Sequence, residues 1–231
     1  MKVKTLIGAA ALFSSVLLQA QNIEVKITNL TNGITYTPFL VAAHKSDTSL
    51  FTVATSASAS LQAMAEGGDT SGLIVDLGNA GAKYVDNPAS GLLAPAATTT
   101  ATLDTVDNGY LSIVAMMLPT NDGFVGLDSW KIPTTAGTYT VYLNGYDAGT
   151  EVNNEIINGA GAPGALGIPA DPQAKNGTGA TGTTTTESNT KVHIHRGILG
   201  DTDATGGKSD LDSRVHRWLN PVAKVTVTVG S

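Results

Sequence analysis

Pro119-Thr120-Asn121-Asp122-Gly123-Phe124-Val125-Gly126-Leu127-Asp128-Ser129-Trp130, then Tyr139-Thr140-Val141-Tyr142-Leu143, then Tyr146-Asp147-Ala148-Gly149-Thr150-Glu151 is the stretch from which the fold can be read. The middle run alternates with the period of two expected of a half-buried strand. Acidic residues stand in the loops on either side of it. Asp122, Asp147 and Glu151 are hard oxygen donors, and loops add backbone carbonyls and water, a combination that suits calcium better than the stricter octahedron of magnesium. The other account of the same residues is that acids in Gly- and Asn-containing loops are solvated turn formers. Spacing alone leaves both open.

Outward from this stretch the chain keeps reading as strands. Tyr110 to Leu118 is almost continuously apolar, the pattern of the most buried strand, and Thr98 to Val106 is Thr-rich and alternating, hence more exposed. Asp107-Asn108-Gly109 between them predicts a hairpin turn. Near the termini, Ile23, Val25 and Ile27 alternate with polar residues, as do Val225, Val227 and Val229, so both runs are expected in the sheet. Pro38 to Ala43 is a short apolar strand. Ser56 to Glu66 places Ala57, Leu61, Met64 and Ala65 at helical spacing before Gly67-Gly68, which predicts one short helix with Ser60 as its cap. Residues 69–95 are expected to be long connections containing strand fragments such as Leu73-Ile74-Val75. Residues 158–189 are rich in Gly, Ala and Thr and too poor in bulky apolar residues to build a core, so they form one long excursion.

Met1-Lys2-Val3-Lys4, the apolar run Leu6 to Leu18 and the small-residue end at Ala20 predict a secretory signal peptide over residues 1–20. The run is too short for a transmembrane anchor. About 210 residues then form a single domain at 21–231, a usual size for one β-sandwich. Without cysteine there is neither a disulfide framework nor a lipid attachment site. Aromatic residues make up only 5%, so the core must rest on Val, Leu, Ile and Ala. A net charge of −6 argues against nucleic acid as a partner.

Two further clusters of candidate ligands lie toward the C-terminus. On a strand His193 and His195 project to one face, and with His216 they make an alternative site for zinc or copper in a metal-dependent enzyme or redox protein. Equally, they form an exposed histidine face bonded to loop residues. Asp201, Asp203, Asp210 and Asp212 lack the alternation of an EF-hand loop. Nucleophile-elbow, phosphate-loop and zinc-helix motifs are absent from the sequence, so a non-enzymatic protein is expected.

The order Pro-x-x-Asp, Val125-Gly126-Leu127, a Trp, a strand and Asp-Ala-Gly-Thr-acidic resembles the spondin N-terminal domain, in a bacterial form. The resemblance takes in Thr37 to His44 and Leu61 to Asp69 upstream, and Asn220 to Val227 downstream. It implies an all-β fold, an antiparallel β-sandwich similar to C2 domains, with one short helix and long loops. It also implies a calcium ion (Ca2+) held by the acidic positions matching Asp122, Asp147 and Glu151. Animal members carry Trp where this chain has Gly123, and Asp where it has Glu151; their disulfide cysteines have no counterpart. The resulting expectation is a secreted or periplasmic calcium-binding module for matrix-type binding or adhesion, whose partner is an extracellular protein or a glycan.

Overall fold

Ile23, Val25 and Ile27 are fully buried on one side of strand β1 (Asn22–Asn29), while Glu24 and Lys26 face solvent, as the period of two requires. The computed structural model describes residues 21–173, 177–183 and 186–230. The expected signal peptide at 1–20 lies outside them. Nine more strands follow: β2 (Thr35–Tyr36), β3 (Leu40–His44), β4 (Lys83–Asp86), β5 (Thr98–Asp104), β6 (Tyr110–Leu118), β7 (Gly123–Lys131), β8 (Gly137–Asp147), β9 (His193–Ile194) and β10 (Ala223–Val229). All the pairings between them are antiparallel.

Pairing runs β4-β3-β6-β7-β8-β10-β1-β5, with β2 added to β6 and β9 to β8. Strand β8 belongs to both layers. Its first half, Gly137 to Leu143, pairs with β10, and its second half, Asn144 to Asp147, pairs with β7. The path therefore folds over on itself, and its ends, β4 and β5, come back into contact, giving a sandwich that is nearly a closed barrel. Between the layers lies a core that includes Ile23, Val25, Tyr36, Val41, Ile113, Val125, Val225 and Val227. The expected inward Val225, Val227 and Val229 are all buried.

A second core on the outer side of β3, β6 and β7 explains why two strands read as unbroken apolar runs. Leu40, Val114, Met116 and Phe124 point there, against Leu61, Met64, Leu73 and Leu77 of two helices, α1 (Ala59–Gly67) and α2 (Ser71–Asn79). Strands β3 and β6 are thus covered on both faces. Phe51 packs between Phe124 and Tyr146 with ring centroids 5.0 Å from each. Gly126 makes room for it, since a Cβ there would sit 2.7 Å from Phe51 Cζ.

Three expectations are corrected. There are two helices, not one: Leu73-Ile74-Val75 is not a strand fragment but lies in α2, where Leu73 and Leu77 one turn apart bury against the sheet and each contributes about 1.5–3 kcal/mol. The cap of α1 is Ser58 rather than Ser60; its hydroxyl accepts from Leu61 N at 3.1 Å, and Gly68, at φ 73°, ends the helix. Finally, Asn108-Gly109 does not close a hairpin. Strands β5 and β6 never pair, because β5 lies beside β1 in one layer and β6 beside β3 and β7 in the other. The turn is real, with Asn108 N donating to Thr105 O at 2.8 Å, but it carries the chain from layer to layer.

Two buried acids fasten the excursion after residue 157 and the segment that follows it: Asp210 the former, Glu155 the latter. Glu155 accepts from Leu199 N, Gly200 N and the Ser209 hydroxyl. Asp210 accepts from Ile157 N, Thr178 N, Ala180 N and the Thr178 hydroxyl. Ile168 is fully buried in the inter-layer core.

Candidate functional site

Antiparallel register brings the acids to one end of the sandwich. Asp122 directly precedes β7, Asp147 ends β8, and Gly123 pairs with Asp147. The loop before Asp122 is braced by Thr120, whose hydroxyl donates to Met117 O and accepts from Gly123 N at 3.0 Å. Asp122 is fully buried. Its Oδ2 accepts from Thr150 N at 2.8 Å, the Thr150 hydroxyl at 3.2 Å and Glu151 N at 3.1 Å, so the second acidic loop is fastened onto the first. Its Oδ1 is buried without a protein partner.

Asp147 folds the turn that follows it. Its Oδ1 accepts from Gly149 N at 2.8 Å and its Oδ2 from Asn153 Nδ2 at 2.9 Å. Gly149 has φ 71°, and a Cβ there would meet Lys191 N at 2.6 Å, so glycine is required on both counts. Glu151 reaches a different set of neighbours. Its Oε2 accepts from Asn121 Nδ2 at 3.1 Å and Gly167 N at 3.4 Å, while Oε1 is buried and unpaired. Among the described residues no three His, Asp or Glu side chains close around a single point. The acids form a divided site, with Asp122 and Asp147 together and Glu151 turned aside.

Burial, followed by repulsion from Asp147, pushes the Asp122 carboxyl up to about 7. Burial also pushes Glu151 up to about 7; the Asn121 amide opposes the shift and the Glu66 carboxylate adds to it. Glu66, buried on α1, accepts from Gln62 Nε2 at 2.8 Å and from Gly164 N.

The histidines separate. His195 is buried beside these acids: its ring lies 5.0 Å from that of Trp218, and a Cβ on Gly123 would be 3.2 Å from its Cδ2. Gly197 N donates to its Nδ1 at 3.0 Å, which assigns the ring proton to Nε2, an atom that is buried and unpaired. A protonated Nε2 is a donor, not a metal ligand. Burial holds His195 down to about 4 despite the nearby Asp147 charge. His193 is bonded through Nδ1 to Lys191 O at 2.8 Å and lies 3.8 Å from Asp147 Oδ1. His216 turns to other acids, with Nδ1 accepting from Asp212 N at 3.0 Å and Nε2 3.7 Å from Asp171 Oδ2. The face foreseen for His193 and His195 is therefore half buried, and His216 does not complete it. The carboxylates of Asp201 and Asp212 accept backbone N–H groups of their own loop, and that of Asp210 accepts those of Ile157, Thr178 and Ala180.

Sequence reasoning passed over Glu66, Asn153, Glu187 and the approach of His195. Asn153 Nδ2 joins Asp147 Oδ2 to Glu187 Oε2 at 2.8 Å, and Glu187 Oε1 meets Arg196 at 2.9 Å. Only the i, i+4 spacing of Gln62 and Glu66 was visible beforehand.

The fold and site together are an antiparallel sandwich with two acidic loops fastened to each other at one end. The chain belongs to the spondin N-terminal domain family: the family model Spondin_N matches residues 28–155. That range contains Asp122, Asp147 and Glu151 and both upstream stretches of the resemblance. The downstream stretch Asn220 to Val227 and the three histidines lie beyond it. No curated protein matches the chain. Among the described residues no helix is long and apolar enough to cross a membrane.

Proposed function

We propose that this protein is an extracellular binding module, secreted or periplasmic, whose acidic end holds calcium. The observation that carries this reading is the buried Asp122 carboxyl, fixed by three donors on Oδ2 while Oδ1, beside Asp147, has no protein partner. An ionised carboxylate in that position needs a cation, and a hard cation accepts the carboxylate, carbonyl and water oxygens that these loops offer. Asp122 and Asp147 are the principal ligands; Glu151, turned toward Asn121 and Gly167, would have to swing in to bring its unpaired Oε1 to the cation. Family membership supports the extracellular role. The sandwich presents its partner, an extracellular protein or a glycan, with a rigid framework, and no chemical step is assigned to it.

Metal analysis of the purified protein tests this. Calcium near one equivalent, with a melting temperature that rises on calcium addition, is expected. Stoichiometric zinc or copper in place of calcium would instead favour a histidine-centred metalloprotein.

A further inference from the structure

Helices α1 and α2 cover the outer face of β3, β6 and β7, whereas the outer face of the other layer, β5-β1-β10-β8, is open to solvent. Antiparallel register lines up its outward side chains in rows that cross the four strands. One row is Thr100, Lys26, Thr226 and Thr140. The next is Thr102, Glu24, Thr228 and Thr138, and a third is Thr98, Thr28, Lys224 and Tyr142. Eight of these twelve positions are threonine, and all twelve are exposed or half-buried.

Threonine is a good strand former on any solvent-facing sheet, so composition alone makes no site. Spacing and free hydroxyls add to it. Among the described residues Thr28 and Thr98 bond to each other, Oγ1 to Oγ1 at 2.9 Å, while the threonine hydroxyls of the first two rows meet no protein group. Each can give and take a hydrogen bond beside its methyl group. Neighbouring strands stand about 4.7–4.9 Å apart, close to the rise of one pyranose along an extended β-1,4-linked chain. A chain laid across the strands between the first two rows therefore meets one pair of side chains for every sugar. Glu24 and Lys26 make one such pair, and an ionised partner strengthens a bond to a sugar hydroxyl. Tyr142, 57% exposed and two residues beyond Thr140 on the same face of β8, adds a ring surface for sugar C–H groups. With Asp104, opposite Asn22 at the edge of the face, the charges of Glu24, Lys26 and Lys224 sum to zero, which gives a polyanion no basic stripe. Glu24 and Lys26 stand up from the middle strand in the way of ice or another flat crystal, whereas a single chain passes between them.

We infer that this face binds an extended, neutral β-1,4-linked glycan laid across β5, β1, β10 and β8, one sugar to a strand. The inference rests on the binding-module reading and deepens it by naming the partner's class, but it does not depend on calcium, whose loops are not part of this face.

The test is a titration of the isotope-labelled protein, with and without a calcium chelator, with β-1,4-linked oligomers of glucose, N-acetylglucosamine, mannose and xylose of increasing length, followed by amide NMR. Saturable shifts at Thr100, Lys26 and Thr226 are expected for at least one series, in chelator as in calcium. Affinity should climb about tenfold from the dimer to the tetramer, the size of one or two hydrogen bonds, and level off beyond it, because the face is four strands wide. Thr100→Val/Thr226→Val keeps the shape and strand propensity of two exposed positions and removes only their hydroxyls; it should weaken the tetramer about tenfold and leave the calcium melting response unchanged. No saturable shift on this face at millimolar sugar, equal affinity for dimer and tetramer, wild-type affinity in the double variant, or tighter binding of a sulfated glycan than of every neutral oligomer would each overturn the inference. So would ice shaping by a protein that binds none of them. Glycan binding by a protein that takes up no calcium would count against the cation site alone.

Discussion

Glu151 donates its backbone N–H to Asp122 Oδ2 at 3.1 Å, so the two acidic loops are one unit before any cation arrives. Asp122 and Asp147 meanwhile repel each other inside that unit. Replacing Asp122 with Asn keeps an oxygen for the three donors and removes the charge. Its expected effects run in opposite directions: the melting temperature without calcium at pH 8 is no lower than wild type, and the rise on adding calcium disappears. Thermal scans with chelator and with excess calcium check both.

Proton linkage follows from the same groups. Ordinary carboxyls ionise near 4, whereas Asp122 and Glu151 are held up to about 7. Between those values the folded calcium-free chain keeps protons that the unfolded chain has lost, so these two groups make stability fall as pH rises from about 4 to 7 and add no further slope above. His195 has the opposite sign: held down to about 4, it makes stability rise with pH from there to about 6.5. Calcium binding at pH 6 must therefore expel protons. Calorimetric heats measured in two buffers of different ionisation enthalpy should differ at pH 6 and converge at pH 8; equal heats at pH 6 would contradict the assignment.

The space above the Gly123 backbone is filled. A Cβ would lie 2.7 Å from Thr120 Oγ1 and 3.2 Å from His195 Cδ2. Gly123→Ala should destabilise by about 1–3 kcal/mol, as overpacking does. Urea unfolding of the variant measures it.

Asp210 holds the excursion. Loss of its four hydrogen bonds in Asp210→Ala should leave the sheet intact while releasing the segment around Thr178 and Ala180. Limited proteolysis should then cut within residues 177–183 much faster than in wild type, with an unchanged circular dichroism spectrum.

What was legible in the sequence was what depends on local periodicity. Tyr110 to Leu118 read as deeply buried because two cores cover its two faces, and the terminal strands announced themselves by alternation. Helix α2 was hidden because Leu73-Ile74-Val75 is a β-like run, and only the Leu73 and Leu77 pair, with Asp69 accepting from Ser71 N at 2.9 Å, marks a helix start. The turn chemistry of Asn108-Gly109 is local, whereas the assignment of β5 and β6 to different layers is not, so the turn signal carries no information on pairing. His195 reached the acids through the pairing of β9 with the end of β8, a contact between distant segments that no spacing rule records.

Isothermal titration of calcium into the wild type and into Asp122→Asn/Asp147→Asn tests the central claim most directly. The account predicts binding near one equivalent in the wild type and affinity reduced at least a hundredfold in the double variant; at a hundredfold excess over Kd, wild-type binding should add about 2.7 kcal/mol of stability. Equal calcium affinity in the two proteins would contradict it.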